Sequence, residues 1–285
     1  MTISTADRQF LVELMRRNAG VALEAGQAHL IENRLAIVAA RRKLASPAAL
    51  IAQLRFANNP ALLHDTIDAL CTHETSFFRD VHPFDALAEQ ILPTLAARRR
   101  QSRTLRVWCA ACSSGQEVWS TAITVRERVD DLQGWTVRIL ATDVSQAMVE
   151  RTRAATYTDA ELARGMPERL RARYFVRQGE QWQARPDLRA MVEVARANLL
   201  EPPPTADRYD LILVRNVLIY FDADGKRRVL DRLHASLAPD GALMIGTGEN
   251  LIDPRYEART FGRTMVYSPR GAAPPLARTR AQESP

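Results

Sequence analysis

The stretch Leu105–Glu117, "LRVWCAACSSGQE", decides the fold of this chain. Its first six residues are almost all apolar, which is typical of a short buried strand. The small residues Ala111–Gly115 follow as a loop, and a helical spacing of apolar residues begins at Gln116. A strand, a small-residue loop and a helix in this order predict one unit of a parallel α/β sheet.

The alternation of strand and helix continues toward the C-terminus. Further apolar runs predict strands at Val137–Asp143, Tyr209–Asn216 and Gly241–Gly248, with helical patterns between strands. The last two segments, "RYEARTFG" and "RTMVYS", are predicted to pair with each other. This alternation predicts a Rossmann-like α/β fold, in which a mostly parallel sheet is covered by helices on both faces.

Three segments depart from the alternation and set the predicted domain limits. Residues 1–80 show only helical spacing, which predicts a small helical domain before the α/β domain of residues 81–268. Inside that domain, residues 174–194 resemble extended pieces joined by turns and predict a small antiparallel β insertion. Residues 269–285 are rich in Pro, Arg and Ala with little to bury, so we expect a disordered tail.

Composition argues against several classes of protein. No apolar run approaches the roughly 20 residues of a membrane helix. The N-terminus also lacks the pattern of a signal peptide, so we expect a cytoplasmic protein without membrane insertion. Cys71, Cys109 and Cys112 suit neither a disulfide framework nor a metal site. The net charge of +6 comes almost wholly from arginine and is a weak signal for nucleic acid. We therefore expect no metal and no nucleic-acid partner.

Polar residues follow the predicted strands at the edge where such sheets bind ligands. Glu117 comes just after the small-residue loop. Asp143 ends the second strand, where it can hydrogen bond ribose hydroxyls or serve as a helix N-cap with Ser145 nearby. Asn198 and Leu199 can flank an adenine, although Asn198 can equally cap its own loop. These positions favour an adenosyl ligand.

The next strand ends in Arg215 and Asn216, and Tyr220 follows a few residues later. No P-loop lysine or phosphate cradle accompanies these residues, so the ligand is predicted to lack phosphates. S-adenosylmethionine is the leading candidate. Its sulfonium already makes the methyl group electrophilic, so a carboxylate acceptor would need alignment and exclusion of water rather than a catalytic base.

Six motifs, in order and at matching spacing, resemble the chemotaxis receptor methyltransferases of the CheR family: "ETSFFRD", "RVWCAACSSGQE", "ILATDVS", "ANLLE", "DLILVRNVLIYFD" and "LAPDGALMIGTGENL". The resemblance covers roughly Ala6–Tyr267. It implies a helical domain, a Rossmann-like methyltransferase domain and an inserted antiparallel subdomain. It also implies methyl esterification of glutamates on the cytoplasmic helices of chemoreceptors, with S-adenosylhomocysteine as the second product. We expect the protein to act as a monomer.

The resemblance assigns roles to individual residues of this sequence. Arg79 and Tyr220 would lie nearest the methyl group and the acceptor, as the catalytic residues. The implied cofactor contacts are His73, Thr75, Arg79, Glu117, Asp143, Asn198, Leu199, Arg215 and Asn216.

Two surfaces are implied as receptor contacts. The inserted segment Tyr174–Val194 would bind a receptor C-terminal peptide. The basic face formed by Arg34, Arg41, Arg42 and Lys43 would meet the methylation region, unless it is simply a solvated helix face.

The opening motif "CTHETSFFRD" would lie where the helical domain meets the methyltransferase domain. There Thr75 and Arg79 are expected to point into the cofactor site. Phe77 and Phe78 are expected to wall the domain junction and shield the sulfonium, or to be parts of a structural linker.

The chain departs from the family pattern at three places. His73 stands where Asn is usual, and an imidazole can still make one hydrogen bond. Gln116–Trp119 replaces the usual Glu-Glu-Pro-Tyr, and Thr247–Gly248 stands where His-Ser is common before Glu-Asn. Two alternative functions therefore stay open: methylation of a signalling protein outside chemotaxis, and cofactor-dependent docking without catalysis.

Overall fold

The computed structural model describes residues 3–23, 26, 28–128 and 134–271. The strands within these residues are β1 (Thr104–Ala110), β2 (Thr136–Asp143), β3 (Thr156–Tyr157), β4 (Phe175–Gln178), β5 (Gln181–Ala184), β6 (Val192–Arg196), β7 (Tyr209–Val214), β8 (Leu237–Ile245), β9 (Tyr256–Phe261) and β10 (Thr264–Pro269).

The helices are α1 (Thr5–Ala19), α2 (Ala28–Arg41), α3 (Pro47–Phe56), α4 (Pro60–Leu70), α5 (His82–Ala86), α6 (Leu92–Arg98), α7 (Gln116–Glu127), α8 (Gln146–Ala154), α9 (Asp159–Ala163), α10 (Glu168–Tyr174), α11 (Pro186–Arg189) and α12 (Ala223–Ser236). A π-helical turn at Leu87–Ile91 joins α5 to α6, and a 3₁₀ turn covers Leu218–Tyr220.

The large sheet has seven strands in the order β6-β2-β1-β7-β8-β10-β9. β6, β2, β1, β7 and β8 run parallel, whereas β10 pairs antiparallel with β8 and β9. Successive β1 side chains enter different cores, because Val107 and Cys109 belong to the cluster on one face and Trp108 belongs to the cluster on the other. Both faces of the sheet are therefore buried, which confirms the predicted Rossmann-like α/β fold.

Helices α1 to α4 form the N-terminal helical region around their own core, which includes Leu11, Leu35 and Ile67. Two of these helices begin as their sequences predict. Ser46 caps α3 and Pro47 occupies the first turn, while Asn59 caps α4 ahead of Pro60.

The sequence of Pro83–Arg100 predicts one helix, but the structure divides this segment. α5 ends at Ala86, a π-helical turn follows, and α6 begins at Leu92 with Pro93 in its first turn. Because Pro93 has no N–H to donate to the preceding turn, the hydrogen-bond ladder changes there.

The predicted antiparallel insertion is a three-stranded sheet in the order β3-β5-β4. β4 and β5 form a hairpin around Gly179, whose φ is +60°. The strands that form this small sheet differ from the expectation in two ways. β3 comes from outside residues 174–194, and β6 at the end of that span pairs with β2 in the large sheet. A limit at residue 194 cuts through β6.

The predicted tail begins at Pro269, which still pairs with Tyr256 as the last residue of β10. Residues 272–285 of that prediction lie outside the described residues. In the part of the chain that the structure describes, no helix is long and apolar enough to cross a membrane.

Candidate active site

A cavity of about 300 Å³ lies at the carboxyl ends of the parallel strands, between the helical region and the sheet. Its volume is at the small end of the range for ligand pockets. All ten residues predicted for the site line it: His73, Thr75, Arg79, Glu117, Asp143, Asn198, Leu199, Arg215, Asn216 and Tyr220. Residues that follow different strands, from Glu117 after β1 to Asn216 after β7, thus meet at one edge, because parallel strands end together.

The small-residue loop after β1 packs tightly beneath this cavity. Gly115 has a φ of +93°, and a Cβ there would lie 2.9 Å from the hydroxyls of Thr152 and Tyr157. Ser113, also in a positive-φ conformation, donates its N–H to Asp143 Oδ2 at 2.8 Å. Its hydroxyl donates to the His73 carbonyl at 2.9 Å, so the loop joins β2 to the opening motif.

Asp143 is the last residue of β2, and its carboxylate is buried at the cavity wall. Oδ1 accepts the Ser145 N–H at 2.9 Å, and Oδ2 accepts the Ser113 N–H. Burial raises the pKa of Asp143, and these two backbone hydrogen bonds oppose the shift. The helix N-cap of α8 is Ser145, which accepts the Met148 N–H, so the N-cap reading of Asp143 is wrong.

Arg215 and Glu117 form a buried ion pair in the cavity wall. Arg215 Nη1 donates to Glu117 Oε2 at 3.0 Å, and Nη2 donates to Asp80 Oδ2 at 2.9 Å and to the Arg79 carbonyl at 3.1 Å. Burial raises the pKa of Glu117, while the Arg215 charge opposes the shift. The guanidinium therefore links α7, the end of β7 and the opening motif, and its direct contact with a cofactor stays a prediction.

Asp80 is a functional candidate that the sequence reasoning missed, although it lies in the quoted opening motif. Glu249 is a second one. Its carboxylate accepts backbone N–H groups from Asn216 at 2.8 Å, Gly246 at 2.7 Å and Ile219 at 3.3 Å. Asn216 adopts a φ of +56°, so Glu249 holds it in an uncommon backbone conformation at the cavity. An acid three residues after Gly246 near a strand end was the available signal.

The close approach of β7 and β8 also explains Gly246. A Cβ at Gly246 would lie 2.6 Å from the Asn216 nitrogen. The neighbouring departure, Thr247, is 3.3 Å from His82 Nε2, and His82 Nδ1 is 2.7 Å from the Thr264 hydroxyl. Thr247 is thus joined to α5 and β10 at the rim.

Asn198 lines the cavity, and its amide is used by the protein backbone. Oδ1 accepts the Leu200 N–H at 3.0 Å, and Nδ2 donates to the Asn18 carbonyl at 2.9 Å. The loop-capping interpretation therefore holds, and Asn198 also connects the site to the end of α1. Leu199 supplies an apolar wall beside it.

The opening motif reaches the cavity through His73, Thr75 and Arg79. His73 Nε2 donates to the Asp68 carbonyl at 2.9 Å. The imidazole thus makes one hydrogen bond of the kind that the side-chain amide of the usual Asn could make. Arg79 Nη1 donates to the Glu74 carbonyl at 3.0 Å. Within the described residues Arg79 makes no ion pair.

The expectation that Phe77 and Phe78 shield the sulfonium is wrong, since neither is among the described residues that line the cavity. Phe77 is buried against Tyr157 and Phe175, at centroid distances of 5.0 Å and 5.8 Å. Phe78 packs on Phe84 at 5.2 Å. Phe77 thus fills the core between the motif and the subdomain, and Phe78 packs against α5, where burial of aromatic area stabilises the fold.

Arg34 also differs from expectation. It lines the cavity and donates from Nη1 to the carbonyls of Leu70 and Cys71, at 3.2 Å and 3.1 Å, rather than joining a basic outer face. It satisfies carbonyls at the end of α4. Arg41, Arg42 and Lys43 are exposed, and Arg42 pairs with Asp65 at 2.6 Å.

These residues fit an adenosyl ligand. The Asp143 oxygens retain lone pairs that can accept ribose hydroxyls, and Val144 and Leu199 provide apolar surface for a base. Glu117 provides a negative group for a cationic amine. The described residues contain no cluster of three or more His, Cys, Asp or Glu side chains that could hold a metal ion.

Comparisons with known proteins agree with this cavity. Residues 73–266 match the family described as "CheR methyltransferase, SAM binding domain". A protein of Pseudomonas aeruginosa named chemotaxis protein methyltransferase 1 is 34% identical over 94% of this chain and 99% of its own length. The chemotaxis protein methyltransferase of Vibrio anguillarum is 34% identical over 94% of this chain and 98% of its own.

A more distant likeness is to a solved O-methyltransferase family protein of Burkholderia thailandensis, with a TM-score of 0.40 at 16% identity over 78% of this chain and 64% of that one. This likeness carries no argument. The family match and the relatives do, and the description of the matched domain names S-adenosylmethionine as its ligand. The chain belongs to the CheR family of S-adenosylmethionine-dependent methyltransferases.

Proposed function

We propose that this protein transfers the methyl group of S-adenosylmethionine to glutamate side chains of methyl-accepting chemotaxis receptors, forming methyl esters. The observation that carries the proposal is the single cavity that collects all ten predicted site residues in a chain of this family. The relatives named chemotaxis protein methyltransferase support the chemotaxis role. We propose that it acts in the cytoplasm, as a monomer, on the cytoplasmic helical region of the receptors.

Within this proposal each side of the cavity has a task. Asp143 accepts the ribose hydroxyls, while Leu199 and the backbone held by Asn198 flank the adenine. Glu117 faces the cationic amino group of the cofactor, and Arg215 keeps Glu117 in position through their 3.0 Å contact. His73 and Thr75 complete the wall on the side of the opening motif.

The cofactor supplies an electrophilic methyl carbon on a positively charged sulfur. When bound, the cofactor would supply this carbon to a glutamate oxygen and leave as neutral-sulfur S-adenosylhomocysteine, so no residue of the chain would need to transfer a proton. A glutamate is ionised at neutral pH, since its ordinary pKa is about 4.3. The chain therefore needs to align the acceptor and exclude water.

Arg79 and Tyr220 are proposed to align the acceptor. Arg79 lines the cavity, carries a full positive charge and makes no ion pair in the described parts of the chain, so it can attract a carboxylate. The Tyr220 hydroxyl can donate a hydrogen bond to the same group. The Tyr220 backbone is fixed by the Ala22 N–H, which donates to its carbonyl at 2.8 Å.

The subdomain is proposed to bind the C-terminal peptide of a receptor. In the order β3-β5-β4, β4 has a strand neighbour on one side only among the described residues, and three of its four residues are exposed. A peptide strand can pair with such an edge through backbone hydrogen bonds. Titration with a synthetic receptor C-terminal peptide tests this assignment, and equal affinity for a scrambled peptide would contradict it.

The central test uses S-adenosylmethionine labelled in the methyl group and membranes that contain chemoreceptors. The expected product is a methyl ester, so mild alkali should release the transferred label as methanol. Arg79→Ala should lose most transfer even when S-adenosylmethionine is saturating. Alkali-stable label would indicate a different acceptor, and cofactor binding without transfer to any receptor preparation would indicate a docking protein.

A further inference from the structure

A second depression lies next to the cofactor cavity. It is an open groove of about 740 Å³ between α12 and the segment Gly248–Arg255. Ile219 lines both the groove and the cofactor cavity, so the two spaces meet at this side chain. A polypeptide lying in the groove would therefore pass the entrance of the cavity.

The walls of the groove expose apolar side chains to solvent. Ile219 is 58% exposed and Ile252 is 90% exposed, while Leu218 and Leu251 are buried beneath them. Leaving a large aliphatic side chain in water forfeits about 1.5–3 kcal/mol relative to burying it. Two such side chains beside one groove give it an apolar surface that a partner could cover.

The charges in the groove leave one cation available. The Arg255 guanidinium is held between Asp253 and Asp231, at 2.6 Å and 2.8 Å. Glu249 is turned toward backbone N–H groups. Lys226 is exposed and has no ion pair in the described parts of the chain. Arg227 pairs with Asp224 at 3.2 Å, but both are largely exposed, so the pair is weak.

One wall of the groove is a face of α12. α12 contributes Ala223, Lys226 and Leu230 to it, which are spaced as one face of two helical turns, or roughly 10 Å. A partner helix can place aliphatic residues against Ile219 and Ile252 and an acidic residue against Lys226. An amphipathic acidic helix is also the chemistry of an acceptor that carries several glutamates.

We infer that this groove binds the helix that carries the methylated glutamate, with Ile252 and Lys226 as contacts that select the acceptor. The inference rests on the proposed function and adds the surface on which the acceptor lies. The acceptor helix then runs along α12, and the glutamate next to Ile219 enters the cofactor cavity.

The test compares charge-reversing or charge-introducing variants in the groove with matched changes elsewhere. Ile252→Glu and Lys226→Glu alter the groove. Arg232→Glu reverses an exposed charge on the same helix outside the groove, and Phe56→Glu replaces a side chain that is 89% exposed on α3. Each protein is assayed with a purified receptor cytoplasmic fragment, and its cofactor affinity is measured by calorimetry.

Each groove variant should raise the KM for the receptor fragment about tenfold, as expected for an interface residue worth slightly over 1 kcal/mol. Their kcat and cofactor affinity should stay unchanged, which also shows that they are folded. The two controls should match the wild-type protein. An unchanged KM in both groove variants would overturn the inference while leaving the proposed function intact. A wild-type protein that methylates no receptor overturns the proposed function and the inference with it.

Discussion

The guanidinium of Arg215 lies 2.9 Å from the carboxylate of Asp80, and this contact holds the backbone from which Arg79 enters the cavity. The Arg215 side chain is 1% exposed, so its charge depends on protein partners. Phe78, Asp80 and Val81 all have positive φ values, which non-glycine residues rarely adopt. The ion pair therefore stabilises a strained segment next to the reacting groups.

Asp80→Asn is predicted to lower both stability and turnover. Asparagine tolerates the left-handed conformation but cannot balance the buried guanidinium. We expect a loss of about 1–3 kcal/mol in the free energy of unfolding, since one charged hydrogen-bond partner is removed. Chemical denaturation and single-turnover methylation measure the two effects. Arg16→Gln removes an exposed cation from its pair with Glu13, outside both the cavity and the groove, and should change neither. An equally active Asp80→Asn enzyme would show that Arg79 is positioned independently of Arg215.

Asp143→Ala is predicted to weaken cofactor binding by about 1–3 kcal/mol, the usual cost of losing hydrogen bonds to a buried ligand group. The same change removes the acceptor for the Ser113 and Ser145 N–H groups, so some loss of stability is also expected. Ser145→Ala serves as the control, because it removes the α8 cap and leaves Asp143 in place. Cofactor affinity by calorimetry separates the two variants. If both bind equally well, Asp143 is not a ligand.

Much of the site could be predicted because one rule governs parallel sheets: residues that follow each strand meet at one edge. Asp143, Asn198 and Asn216 were located in this way, and the structure places all three at the cavity. The same rule could not place Glu249, whose role depends on how closely β7 and β8 approach.

Side-chain direction was the main source of error. The sequence predicts that Phe77 and Phe78 wall the domain junction and shield the sulfonium, whereas in the structure α5 packs against Phe78 and the subdomain buries Phe77. That packing depends on contacts with Tyr157 and Phe175, which are about 80 and 98 positions away in sequence and have no local signature. The position of Arg34 is similarly ambiguous in the sequence. Helical spacing shows which residues share a face of the helix, but it does not show what that face contacts.

Cofactor binding is predicted to weaken as pH falls from neutral toward the ordinary pKa values of the two buried acids, Asp143 and Glu117. Burial raises the pKa of both Asp143 and Glu117, so these acids protonate above their ordinary values of 3.8 and 4.5. Hydrogen-bond donors and a cationic amine on the ligand favour the ionised forms of Asp143 and Glu117. Binding should therefore release protons. Calorimetry in buffers of different ionisation enthalpy measures that release. Asp143→Asn should reduce it, whereas a constant affinity across this range would contradict the assignment.

The same two acids set a direction for stability without ligand. An acid whose pKa is higher in the folded than in the unfolded state binds more protons when folded, so its contribution to stability falls as pH rises. The pH range in which stability falls begins at the ordinary pKa values, 3.8 for Asp143 and 4.5 for Glu117, and extends upward to their raised pKa values in the folded protein. Denaturation of Glu117→Gln between pH 4 and 7 should show a smaller slope of this sign than the wild-type protein.

Gly165 is predicted to couple the subdomain to the opening motif. Its φ is +98°, and a Cβ there would lie 2.0 Å from the Phe77 carbonyl oxygen. Gly179, in the β4–β5 turn, has a φ of +60° but nothing within 4 Å of its Cβ position. Gly179→Ala should therefore cost only the conformational penalty of about 1 kcal/mol. Gly165→Ala should cost that amount plus the clash, about 2–4 kcal/mol in total, because backbone must move. Chemical denaturation of the two variants provides the comparison. Equal stability of the two variants would mean that the motif and the subdomain are not rigidly packed.

The displaced Phe77 carbonyl is two residues from Arg79. The Gly165→Ala molecules that remain folded should therefore also transfer methyl groups more slowly than the wild-type protein.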